Sequence, residues 1–272
     1  MRAIGVFDSG YGGLTILKSI TSVLPSYDFI YLGDNARAPY GTRSFETVYQ
    51  YTWQAVQKLF AEGCPLVILA CNTASAKALR TIQQKNLPQQ YSNRRVLGVI
   101  RPTAEVIGNM TRSNTVGIMA TKGTVASESY LLEIDKFYPQ VKVLQQACPL
   151  FVPLIEQQEH LSPGMDYFLE KYSHQLMQQS DQIDTVLLAC THYPLIENSL
   201  KSHFPENVKI VSQGDIVAKS LVDYLKRHPE IDEQCTRNGK RRYFTTDDVE
   251  SFDAAASLFY GESIQAEHIH LT

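Results

Sequence analysis

Val67 to Ser75 reads VILACNTAS: an apolar run rich in β-branched residues and Leu, then Ala-Cys, then small polar residues that open a helical pattern. A run apolar on every residue is predicted to be a parallel strand buried on both faces, with Cys71 delivered to its carboxyl end. Much later, Val186 to Leu195 reads VLLACTHYPL and puts Cys190 in the same place. Ligands of open α/β sheets bind beyond the carboxyl ends of the strands, so two such cysteines predict one site with two thiols.

Outward from Cys71, the amino-terminal side supplies a strand (Ala3 to Phe7), a Gly-rich turn (Asp8-Ser9-Gly10-Tyr11-Gly12-Gly13) and a helix (Leu14 to Leu24). Free N–H groups at a helix start favour anions, although the glycine spacing is not the dinucleotide pattern, and Asp8 and Ser9 could serve only as caps. Phe29 to Leu32 is a second strand that runs into the turn-rich loop Gly33 to Gly41. Ser44 to Ala61 is a long helix whose aromatic stripe, Phe45, Tyr49, Trp53 and Phe60, is read as core. The cysteine strand leads into a helix from Thr73 to Leu87, ended by Pro88, and then a strand from Val96 to Ile100.

Arg101-Pro102-Thr103 breaks that pattern and is the candidate domain crossing. Beyond it, Gly117 to Thr124 (GIMATKGT) repeats the style of Gly5 to Gly10 (GVFDSG). This second opening begins 112 residues after the first, and Cys190 follows Cys71 by 119, so two related half-molecules are expected. The elements after Cys190 do not complete a further unit and should return to the first half. The chain is therefore expected to form two similar α/β domains with mostly parallel sheets, related by a pseudo-twofold axis, with the site in the cleft between them. Residues 1–97 plus 210–272 make the first, carrying Asp8 and Cys71; residues 98–209 make the second, carrying Glu156, Cys190 and His192.

Composition narrows the function. The 272 residues are 44% hydrophobic, enough for a substantial core, and the net charge is −3 with no clustered basic stretch, which argues against nucleic acid and anionic membranes. No apolar run approaches the ~20 residues of a membrane span, and the amino terminus lacks a signal-peptide pattern, so a soluble cytoplasmic protein is expected. Five widely spaced cysteines without a CxxC pair point to free thiols rather than a disulfide framework.

A cysteine between a strand and a helix lies near the positive end of the helix dipole, which favours thiolate. Two of them on facing halves suggest bases on opposite sides of one substrate carbon. Asp8 in the first half, and Glu156 and His192 in the second, are candidate proton partners for the thiols. Ser9, Tyr40, Gly41, Asn72, Thr73, Thr121 and Thr191 are candidate donors to substrate carboxylates. Cys64, Cys148 and Cys235 are read as small buried hydrophobes. Cys148, Cys190 and His192 lack the close paired spacing of zinc ligands, so no metal is expected.

These motifs resemble the cofactor-independent glutamate racemases of bacterial cell-wall synthesis. The resemblance is carried by GVFDSGYGGLT (Gly5 to Thr15), APYG (Ala38 to Gly41), ACNTASA (Ala70 to Ala76), ATKGTV (Ala120 to Val125), CPLFVPLIE (Cys148 to Glu156), ACTHYPL (Ala189 to Leu195) and TTDDVESF (Thr245 to Phe252). It implies interconversion of L- and D-glutamate without a cofactor, Cys71 with Asp8 acting on the D enantiomer and Cys190 with Glu156 and His192 on the L enantiomer. It also implies substrate carboxylates held by Ser9, Tyr40, Gly41, Asn72, Thr73 and Thr191, with Thr121 nearby, and it admits a homodimer. Arg101-Pro102-Thr103 departs from the acidic-Pro-Gly common in that family. Two alternatives remain open: a racemase of another acidic or hydantoin-like substrate such as aspartate, and a non-catalytic amino-acid-binding relative.

Overall fold

The computed structural model describes residues 2–271. Ten strands form two sheets. In chain order they are β1 (Ile4–Asp8), β2 (Phe29–Gly33), β3 (Leu66–Leu69), β4 (Arg95–Gly98), β5 (Thr115–Ala120), β6 (Lys142–Ala147), β7 (Thr185–Ala189), β8 (Lys209–Val211), β9 (Arg241–Thr245) and β10 (Ala266–His268). The first sheet runs β10-β9-β2-β1-β3-β4 and the second β6-β5-β7-β8, with every pairing parallel. The order β2-β1-β3-β4 thus recurs as β6-β5-β7-β8, which is the topological form of the repeat visible in the sequence.

Parallel sheets are covered by helices on both faces, and the period-2 alternation sorts their side chains accordingly. Ile4, Val6, Phe29, Tyr31, Leu66 and Ile68 face one cluster, under the helices Gly13–Val23 and Gly214–Arg227. Phe7, Ile30, Leu32, Val67, Leu69 and Cys71 face the other, under the helix Phe45–Ala61. Each fully buried aliphatic or aromatic side chain contributes roughly 1.5–3 kcal/mol, so the strand interiors dominate the stability of both halves.

The carboxyl-terminal strands extend the first sheet past β2, and Asp28 holds them there. Its carboxylate accepts from the Asn238 and Lys240 backbone N–H groups at 3.0 and 2.8 Å, and from the Asn238 and Thr236 side chains. Burial alone would raise this carboxyl, but those donors hold it at about 2.

Several local expectations change. Lys209–Val211 pairs with β7, so residues 210 and 211 belong to the second sheet rather than the first. Arg101-Pro102-Thr103 is not a break but the first turn of the helix Ile100–Ile107, where proline's missing N–H would have had no partner anyway. Ile100 starts that helix, and the strand before it ends at Gly98. The segment after Cys71 is not one helix: Asn72–Lys77 and Leu79–Thr81 are followed by a π-helical turn over Ile82–Asn86 and a last turn, Leu87–Gln90, that includes Pro88. Phe45 is 50% exposed and stays out of the core, with the Lys77 ammonium 5.0 Å from its ring.

Candidate active site

The carboxyl ends of β1, β3, β5, β6 and β7 converge on a cavity enclosing about 690 Å³ of empty space, open mouth included. Cys71 reaches it from the first sheet and Cys190 from the second. Each comes within two residues of the last residue of an all-buried strand, β3 (LVIL) or β7 (TVLLA).

Cys71 is the amino-terminal cap of the helix Asn72–Lys77, a role usually held by Ser, Thr, Asp or Asn. Its Sγ accepts from the Ala74 backbone N–H at 3.4 Å and lies 3.5 Å from Ser9 Oγ. Burial, and next the charge of Asp8, push the Cys71 thiol up to about 12, against these two hydrogen bonds. These effects hold Cys71 toward its thiol form.

Cys190 faces a relay. Its Sγ is 4.0 Å from His192 Nδ1, and His192 Nε2 is 2.9 Å from Glu156 Oε1. Burial alone would pull the imidazole down, but bonding to Cys190 and to Glu156 overcomes it and holds His192 at about 10. A charged His192 gives a thiolate at Cys190 its counter-ion. The Phe259 ring packs edge-on against the imidazole at 5.2 Å, so the helix Val249–Tyr260 supports this side of the cavity.

Asp8 lies beneath the cavity, fully buried. Its carboxylate accepts from the Gly10 N–H at 3.0 Å and from Thr191 Oγ1 at 3.3 Å. Burial raises its pKa, opposed first by His192. The loop after β1 is held close by Tyr31, whose hydroxyl donates to the Gly10 carbonyl at 2.7 Å. Gly12 makes the approach possible: a Cβ there would stand 2.3 Å from Thr191 Oγ1 and 2.4 Å from His192 Nδ1.

Ser9, Tyr40, Gly41, Asn72, Thr73, Thr121 and Thr191 all line the cavity with Glu156, His192 and the two cysteines. Several of their side chains are already engaged. Tyr40 donates its hydroxyl to Asp34, which also pairs with Arg37 at 2.7 Å. The Asn72 carboxamide is bonded to Gln213 and Tyr130. Thr73 Oγ1 and Thr121 Oγ1 meet at 2.9 Å and join the two halves across the cavity.

Sequence reasoning missed Cys148, Lys122, Val152 and Pro153, which also line the cavity. Cys148 follows β6 as Cys190 follows β7, but β6 (KVLQQA) is a half-exposed edge strand whose polar residues hide that equivalence. Among the described residues, no three His, Cys, Asp or Glu side chains are grouped to hold a metal ion, and no helix is long and apolar enough to cross a membrane.

The arrangement offers two thiols, one with a carboxylate beneath it and one with an imidazole-carboxylate pair. That is the equipment for removing a proton on one side of a bound molecule and returning one on the other.

Comparison with known proteins places the chain among racemases. The Asp/Glu/hydantoin racemase family model matches residues 5–221. The glutamate racemase of Geobacter metallireducens is 39% identical over 261 residues, 96% of this chain and 93% of that protein. Among solved structures, glutamate racemase isoform RacE1 from Bacillus anthracis superposes with a TM-score of 0.90 at 32% identity, covering 99% of this chain and 98% of that one. The Francisella tularensis glutamate racemase, in complex with D-glutamate, has a TM-score of 0.88 at 33% identity with the same coverage.

Proposed function

The chain belongs to the Asp/Glu/hydantoin racemase family, and on that premise we propose that it is an isomerase interconverting L- and D-glutamate by proton transfer between two thiols, supplying D-glutamate for peptidoglycan. The observation that carries this reading is that Cys71 and Cys190 reach a single cavity from equivalent strand ends of two sheets. A cytoplasmic location fits the role.

In the D-to-L direction Cys71, as thiolate, takes the Cα proton of D-glutamate. The electron pair left on Cα delocalises into the α-carboxylate, and the Cys190 thiol gives its proton to the opposite face. Cys71 ends as thiol and Cys190 as thiolate, which is the state that starts the reverse reaction. Cys71, held toward the thiol form, is thus set as the acid for L-glutamate, and His192 is the counter-ion for Cys190 as base.

An amino-acid Cα–H is a very weak acid, so donors must stabilise the developing charge, each contributing on the order of 3 kcal/mol. The Ser9, Thr73 and Thr121 hydroxyls and the N–H groups of Gly41, Asn72, Thr73 and Thr191 are the groups assigned to the carboxylates, since the Thr191 hydroxyl donates to Asp8. Tyr40 contributes packing and backbone, because its hydroxyl is bound to Asp34. Each sheet with its helices forms the core of one domain, and closure of the cleft excludes water, which strengthens these interactions.

The test is incubation of purified, metal-free protein with D-glutamate in D₂O, following optical rotation and Cα deuterium together. Inversion coupled to solvent exchange is expected. Absence of both would leave a binding protein, and a comparable rate with D-aspartate would overturn the assignment to glutamate.

A further inference from the structure

Gln213 sits where the chain returns from β8 to the helix Gly214–Arg227, distant in sequence from either thiol, and is 2% exposed. Its amide closes a ring of three hydrogen bonds. Asn72 Nδ2 donates to Gln213 Oε1 at 2.7 Å, Gln213 Nε2 donates to the Tyr130 hydroxyl at 2.7 Å, and that hydroxyl donates to Asn72 Oδ1 at 2.6 Å. All three side chains are buried.

The ring has one possible direction. Gln213 Nε2 also faces the Val99 carbonyl at 3.3 Å and Thr103 Oγ1 at 2.9 Å, and a carbonyl can only accept. That fixes the nitrogen end of Gln213, so its oxygen must face Asn72, which must donate. Asn72 then presents its oxygen to Tyr130, which must donate in turn. Hydrogen bonds running one way around a closed ring reinforce one another in a buried setting.

The partners come from four places: Asn72 beside Cys71, Tyr130 on the second sheet's helix Ser129–Phe137, Val99 and Thr103 on the outgoing crossing, and Gln213 on the returning one. Both chain crossings between the halves therefore meet at Gln213, which bonds the residue next to Cys71.

We propose that Gln213 is a positioning residue which, through this ring, fixes Asn72 and hence the Cys71 face of the cavity relative to the second half. The inference rests on the racemase reading and names no new contact with substrate. The ring occupies one N–H and one acceptor site of Asn72, and leaves one N–H for a substrate carboxylate.

Because the two enantiomers are equally stable, kcat/KM must fall equally in both directions, and the position of the defect shows in isotope effects instead. With Gln213→Ala, kcat/KM is expected to fall about tenfold, as for loss of a buried hydrogen-bonding group. Transfer at Cys71 then limits the rate more strongly. The isotope effect with D-glutamate deuterated at Cα should rise, and that with deuterated L-glutamate should fall toward one. Tyr130→Phe keeps the ring's packing, opens its hydrogen bonds and should give the same signature, whereas Thr103→Val leaves the ring closed and should not. Equal isotope effects in Gln213→Ala and Tyr130→Phe despite slower turnover would overturn the proposal, as would the asymmetric signature in Thr103→Val. Inactivity of the unmodified protein on both enantiomers would overturn the racemase reading, and this inference with it.

Discussion

Asp8 accepts a hydrogen bond from Thr191, the residue after Cys190, although Asp8 belongs to the first sheet and is assigned to Cys71. Its effect on Cys71 is through charge: Asp8 helps to raise that thiol to about 12, while Ser9 and Ala74 make the direct contacts. The carboxylate thus couples the two halves of the site. Asp8→Asn should make Cys71 ionise more readily, so the pH at which Cys71 is half-maximally alkylated moves down, while racemisation slows. An alkylation profile unchanged from wild type would refute the coupling.

Replacing either thiol tests the mechanism directly. Cys71→Ser and Cys190→Ser should each reduce racemisation by roughly 10²–10⁴-fold, the usual contribution of a positioned acid or base, with far-ultraviolet circular dichroism unchanged. Near wild-type turnover in either variant, in both directions, would sink the two-thiol mechanism.

Gly12 is required by proximity rather than by backbone conformation, since its φ of −57° suits any residue. In Gly12→Ala the added methyl meets Thr191 and His192 at once. Displacement of His192 from Cys190 should slow turnover by ~10-fold or more, and misplacement of this order costs reacting groups at least that much. Kinetics of the variant at neutral pH will show whether the loop must lie this close.

The raised His192 carries a pH signature. A group held at about 10 against an ordinary 6.5 keeps its proton in the folded state and loses it in the unfolded one across that interval. Its contribution is complete below about pH 6.5 and disappears as pH rises through about 10. Glu156→Gln removes one cause of the shift, so stability should fall less steeply over this range than in wild type. Thermal unfolding at mildly acid and mildly alkaline pH is the measurement, and parallel curves for the two proteins would contradict the pairing.

Asp28 behaves oppositely. Held at about 2 instead of 3.8, it stabilises the fold above its unfolded pKa and ceases to do so as pH falls through about 2. The shift corresponds to about 2 kcal/mol, so Asp28→Asn should lose about that much at neutral pH and show a shallower acid limb in denaturant titrations.

The strand-end thiols were legible because a parallel strand buried on both faces leaves an unbroken apolar run that points to its own carboxyl end. Their acidic and hydroxylic neighbours followed from the same turns. What escaped depends on distance in sequence. Gln213 carries no local signal, and its role exists only where two crossings and two helices meet. The hydroxyl of Tyr40 and the carboxamide of Asn72 have the chemistry to bind carboxylates, and only the fold reveals Asp34, Gln213 and Tyr130 as their partners. Pro88 and Pro102 read as stops, yet Pro102 falls in a first helical turn, where its missing donor has no cost, and Pro88 falls in the short turn that follows directly on a π-helical turn.

The strand order of the first sheet also dictates a sequence of events during synthesis. β2 is made early, but its outer neighbour β9 is not translated until residues 241–245, after the entire four-stranded sheet. Until then β2 presents an open edge, and the nascent first half carries its thiol in an incomplete sheet. The four-stranded unit has all its strands by residue 211 and can consolidate first, so β9 and β10, made after it, close the open edge of the first sheet.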